Sequence, residues 1–114
     1  DVPAAVKESI GSGMARRTRY FDSQVCLDPT PYLKKVKCPV LAINGTKDTQ
    51  VDAEKNLKAF SDNIRNAELH RMEGLNHLLQ HASTGESSEY GELTETISPD
   101  VLRLIADFIR SHTR

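Results

Sequence analysis

The sequence predicts an α/β fold built on two parallel strands, and three observations lead there. Residues 39–44, PVLAIN, form a short and almost wholly apolar run that opens with Pro39 and is followed by Gly45. Such a run fits a strand buried on both faces of a parallel sheet. Ala53, Leu57, Phe60 and Ile64 then fall on one helical face, and residues 67–73, AELHRME, alternate moderately. Strand, helix, strand is the economical reading, and the crossover rule makes the pair parallel and right-handed.

Composition narrows the function classes. At 114 residues the chain has the length of one domain, and 38% hydrophobic with 27% charged residues predicts a folded core rather than a disordered chain. A net charge of -1 offers no basic field to a polyanion, so nucleic acid is not an expected partner. The longest apolar run, Cys38 to Ile43, is far too short to span a bilayer. Cys26 and Cys38 match no metal spacing and are too few for a disulfide framework, which leaves the redox compartment open. The opening DVPAAVKESI shows no targeting signal, and the compartment stays unassigned.

The elements follow in chain order. Pro3, with Val6, Ile10 and Met14 spaced by four, predicts an opening helix weakened by Gly11 and Gly13. Residues 16–37 lack a sustained period and read as connecting structure, with Asp28 capping a short helix over PTPYLKK. The strand at 39–44 leads through the polar hook GTKDTQV to a helix from 53 to about 62, capped by Asp52. The second strand, 67–73, follows. Residues 74–97 show no clear period, and a connection of that length is usually functional or mobile. Ser98 as N-cap, Pro99 and Asp100 open a last helix whose Val101, Leu104, Ile105, Phe108 and Ile109 form one apolar stripe.

Two parallel neighbours send their C-terminal ends to one sheet edge, where ligand sites of open α/β sheets form. Asp48 lies four residues beyond Asn44, and His77 lies four beyond Glu73. A catalytic imidazole needs a carboxylate at Nδ1 to fix its tautomer, with Nε2 left for a nucleophile's proton, and adjacent loops of equal reach can supply that pair. CPVLAINGTKDTQV followed by MEGLNHLLQ resembles the C-terminal part of the α/β-hydrolase superfamily, in particular its serine esterase and serine aminopeptidase-like branches. The resemblance covers roughly residues 28–112. It implies that Gly45 and Asp48 are the turn glycine and triad acid, and that Gly74 and His77 are the glycine and triad base of the next loop. Asp52 stands where the family usually has a proline.

The nucleophile is the larger departure. None of the nine serines has Gly two residues before and two after, as a G-x-S-x-G elbow requires, and SIGSGM is only a near miss. The expectation is therefore a partial α/β-hydrolase fold: residues 1–27 a helical cap remnant or linker, and 28–114 the C-terminal part of the hydrolase domain. The full-length protein would cleave an ester, thioester or amide of a small-molecule or peptide acyl substrate without a cofactor. Alternatives stay open. Asp48 can be a turn residue bonding its own backbone. His77 can pair with His81 at a metal, although no Glu completes an H-E-x-x-H pattern. Arg16, Arg17 and Arg19 read as a solvated face. A rival function is a noncatalytic small α/β module that binds a ligand or protein through residues 74–97. The isolated chain is also expected to self-associate, edge to edge through residues 39–44 or by exchanging its N-terminal helical segment.

Overall fold

The computed structural model describes Ala4 and residues 19–113. The opening helix expected around Val6, Ile10 and Met14, together with Arg16 and Arg17, lies outside the described residues. In chain order come α1 (Arg19–Cys26), α2 (Thr30–Leu33), β1 (Leu41–Gly45), α3 (Ala53–Asn63), β2 (Glu68–Met72), a 3-10 helix (Ser87–Glu92) and α4 (Pro99–His112).

The strands pair in parallel with Leu41 opposite Glu68 and Gly45 opposite Met72. The α/β class and the parallel pair are thus present, with shorter strands than expected. The register would set Pro39 opposite Asn66, but Asn66 has φ 61, a left-handed turn from which no ladder can continue. Pairing starts where the Glu68 amide donates to the Val40 carbonyl at 2.8 Å, and runs on past the strand end where the Thr46 amide donates to Met72 at 2.9 Å. Even-numbered residues of β1 therefore turn their peptide groups toward β2. Those of Leu41 and Ile43 point to the other edge, where no strand lies among the described residues. Burial on both faces is only partly realised: Ala42 and Asn44 are buried, whereas Leu41 and Ile43 are half-buried.

The α3 crossover forms as its pattern requires. The Asp52 carboxylate accepts from the Lys55 amide at 2.9 Å, and Leu57 and Ile64 are buried against the sheet. Three expectations need correction. Residues 19–26, read as connecting structure, form α1, a largely exposed helix whose polar sequence carries no apolar stripe long enough to register as a period. The helix over PTPYLKK is a single turn with Pro29 at the cap position, although the Asp28 side chain still accepts from the Thr30 amide at 2.9 Å. Ser98 precedes α4 but makes no side-chain cap. Its amide is held by the Leu79 carbonyl at 2.8 Å, and its hydroxyl is buried without a partner. Val101 anchors α4 in the core, while Leu102, Ile105 and Ile109 remain exposed along it.

The core centres on the loop after β2. Leu75 and Val101 are essentially inaccessible, and Leu75 lies directly against Gly45. A β-carbon at Gly45 would run into the Leu75 carbonyl, so only glycine lets the two chain segments meet here. The Lys47 amide donates to that same carbonyl at 2.9 Å, and the Thr46 hydroxyl accepts from the Gly74 amide at 2.9 Å. The loops leaving β1 and β2 are thereby joined before either carries a functional group.

Candidate active site

Asp48 sits in a hook that its own side chain closes. Its amide donates to the Gly45 carbonyl at 3.2 Å, and Oδ1 accepts from the Gln50 and Val51 amides, each at 2.9 Å. That is the local turn role which short polar side chains commonly take. Oδ2 is turned the other way and meets His77 Nδ1 at 2.9 Å and the Asn44 amide Nδ2 at 3.2 Å. The two readings of Asp48, turn residue and partner of His77, thus fall on different oxygens of one carboxylate. Its side chain is 6% exposed and that of His77 is 36% exposed.

Burial by itself would raise the Asp48 carboxyl. The Val51 amide, the His77 ring and the Gln50 amide outweigh it and hold the group below its ordinary value of 3.8. An ionised carboxylate accepts only, so the proton between the residues belongs to Nδ1 of the ring. His77 Nε2 is left with its lone pair and has no hydrogen-bond partner among the described residues. His77 and Asp48 border a cleft of about 310 Å³ whose apolar wall is Ile43, Val51, Phe60 and Leu79.

The loop that carries His77 is built around Asn76, a fully buried residue that pattern reading passed over. Its Oδ1 accepts from the Leu78 and Gln80 amides at 2.9 and 3.0 Å, and its Nδ2 donates to Gln80 Oε1 at 3.0 Å. An antiparallel bridge between Leu75 and His81 closes the loop, and Leu79 at φ 60 reverses the chain inside it. His77 stands at the tip of this closed turn. The burial of Asn76 leaves no signature in a segment without an apolar period.

His81, the alternative metal partner, is turned elsewhere. Its ring and amide both meet the Glu95 carboxylate, at 3.0 and 2.7 Å. Among the described residues no group of three potential ligands could hold a metal ion. Residues 82–95 are less irregular than expected, because two side chains organise them. Lys47 Nζ donates to the Ala82 and Ser83 carbonyls at 2.7 and 2.8 Å. The Glu89 carboxylate collects the Ser83, Thr84 and Gly85 amides, and those bonds, that of Ser83 foremost, lower it from 4.5 to about 2. A larger hollow of about 530 Å³ over Leu57 and Leu69 is edged by the exposed Lys58–Asp62 ion pair and includes neither Asp48 nor His77. No serine hydroxyl among the described residues bonds His77. Cys26 and Cys38 are free and exposed. Among the described residues no helix is long and apolar enough to cross a membrane. No protein-family model, curated protein or solved structure matches the chain.

The depressed Asp48 value has a signed consequence. A carboxyl that binds its proton less tightly folded than unfolded stabilises the fold fully above its unfolded value, here 3.8, and that contribution vanishes as pH falls through the lower folded value. Urea denaturation across that range is expected to show wild type losing stability faster than Asp48→Asn, so that the gap between them narrows with acid. A gap independent of pH would mean that the Asp48 carboxylate is not held by these donors.

Proposed function

We propose that this chain is the C-terminal part of a serine hydrolase of the α/β-hydrolase type, with Asp48 as acid, His77 as base, and the nucleophilic serine upstream of Asp1. The observation that carries the reading is the 2.9 Å bond from His77 Nδ1 to Asp48 Oδ2, which leaves Nε2 unpartnered at the C-terminal ends of two parallel strands. The substrate class is a carboxylic ester, thioester or amide. The serine oxygen attacks the acyl carbonyl while Nε2 takes its proton. His77 passes that proton to the leaving group, and water reverses the two steps to free the acid. Asp48 stabilises the imidazolium through Oδ2. No cofactor enters this sequence.

The open edge of β1 supports the same reading. Among the described residues the peptide groups of Leu41 and Ile43 have no strand partner there, and an upstream strand leading to the nucleophile has its natural place beside them. When the chain is alone, that edge and the exposed Leu102, Ile105 and Ile109 of α4 are open to a second copy.

Hydrolysis of short p-nitrophenyl esters tests the assignment. The isolated chain should show no useful turnover. In the longer protein, Asp48→Asn and His77→Ala should each lower kcat by roughly a thousand-fold or more with little change in KM. Turnover by the isolated chain that a serine-directed inhibitor abolishes would overturn the upstream nucleophile. Full activity in His77→Ala with none in His81→Ala would overturn the base.

Light scattering of the isolated chain over a concentration series should show self-association that Leu41→Pro, which removes an edge donor, weakens. A monomer at every concentration would refute that use of the edge.

A further inference from the structure

We infer that Asn44 and Asn56 are positioning residues that aim the Asp48 carboxylate at His77 and hold the ring proton on Nδ1. The inference rests on the reading of Asp48 and His77 as acid and base. Asn44 is the one polar side chain in an otherwise apolar stretch, and it is 4% exposed. A polar group so placed is costly unless its bonds are made, and an aliphatic side chain would suit a strand interior better. All its bonds converge on the site. Oδ1 accepts from Asn56 Nδ2 at 2.6 Å, and Nδ2 donates to Asp48 Oδ2 at 3.2 Å and to the Val51 carbonyl at 3.4 Å.

The order of donors along this chain is fixed by charge. Asp48 is an anion that can only accept, so Asn44 must present its NH₂ to it, which leaves the Asn44 oxygen facing Asn56. Asn56, in the first turns of α3, donates to that oxygen and locks the amide against rotation. The relay therefore runs from Asn56 through Asn44 to Asp48 Oδ2, the same oxygen that His77 uses. Two effects follow. With Oδ1 held by the Gln50 and Val51 amides, the Asn44 donor fixes the remaining rotation of the carboxylate, so that Oδ2 faces the ring. A second donor on Oδ2 also lowers the proton affinity of that oxygen, so a protonated His77 keeps both protons instead of passing one to Asp48.

The ring ¹⁵N shifts of His77 in the labelled chain read its tautomer directly, without substrate. Wild type should be Nδ1–H. Asn44→Leu should raise the Nε2–H share about five-fold, the equivalent of one ordinary hydrogen bond. It should also move the Asp48 carboxyl titration upward. Asn56→Ala, in which Asn44 remains but its amide is free to turn, should move both in the same direction by less. Asn56→Asp should act more strongly than Asn56→Ala, because an acceptor at 56 pulls the Asn44 NH₂ away and turns its oxygen toward Asp48. A merely structural role for these residues would change stability and leave the tautomer alone. If Asn44→Leu does not fold, the two Asn56 variants decide. An unchanged tautomer in every folded variant overturns the inference, and a wild-type ring already protonated at Nε2 overturns both it and the acid–base reading. A tautomer that responds as stated, in a protein whose ester hydrolysis does not need His77, upholds the relay and removes the hydrolase reading alone.

Discussion

The site depends on one close approach, the backbone of Gly45 against the carbonyl of Leu75. Parallel strands bring their C-terminal ends to one edge, but their exit loops could still diverge. Here they cannot. Gly45 admits Leu75 where any side chain would exclude it, and the Lys47 amide then bonds the carbonyl so admitted. Leu75 is itself buried to 1% exposure, so the contact is fixed from both sides by core packing. Asp48 follows Lys47 and His77 follows Asn76, which places both side chains within one or two residues of a rigid junction. Their pairing is a consequence of backbone geometry more than of mutual attraction.

That order of causes explains how an almost wholly buried carboxylate is tolerated. Stripping water from a charged group costs several kcal/mol unless donors replace it. Asp48 finds two backbone amides, one imidazole and one carboxamide, so both oxygens are satisfied twice. Three of those donors belong to its own hook or strand, and only the imidazole comes from the loop after β2. The carboxylate is therefore oriented by its own segment as well as by His77. The long segment after His77 is held by the same logic on a smaller scale: Glu89 gathers three amides and Lys47 two carbonyls, each a side chain replacing water around irregular backbone.

The parts legible in the sequence are those whose signal is periodic or local. The apolar run before Gly45, the alternation of residues 67–73, the α3 stripe with its Asp52 cap, and the α4 stripe marked the two strands and two main helices, with small errors at the ends. The meeting of Asp48 and His77 was legible because loop position, counted from the strands, sets reach. The α1 helix was not, since an exposed polar helix leaves no hydrophobic period. The partners of the site were hidden for a different reason. Asn44 with Asn56, Asn76 with Gln80, and Lys47 with Ala82 are pairs whose meaning lies in tertiary contact or loop closure, and no spacing rule links positions such as 47 and 82. Ser98 shows the opposite error: a favourable cap residue lost its cap because the Leu79 carbonyl had already fixed its backbone.

If the Gly45 junction is what brings Asp48 and His77 together, their coupling must depend on it. A double-mutant cycle on folding stability, with Asp48→Asn and His77→Gln, measures that coupling. Run in the natural sequence and again in a Gly45→Ala background, it is expected to give about 1 kcal/mol or more in the first case and close to zero in the second. Gly45→Ala itself should cost about 2 kcal/mol through the collision with Leu75. An undiminished coupling in the Gly45→Ala protein would mean that the pair forms without the junction.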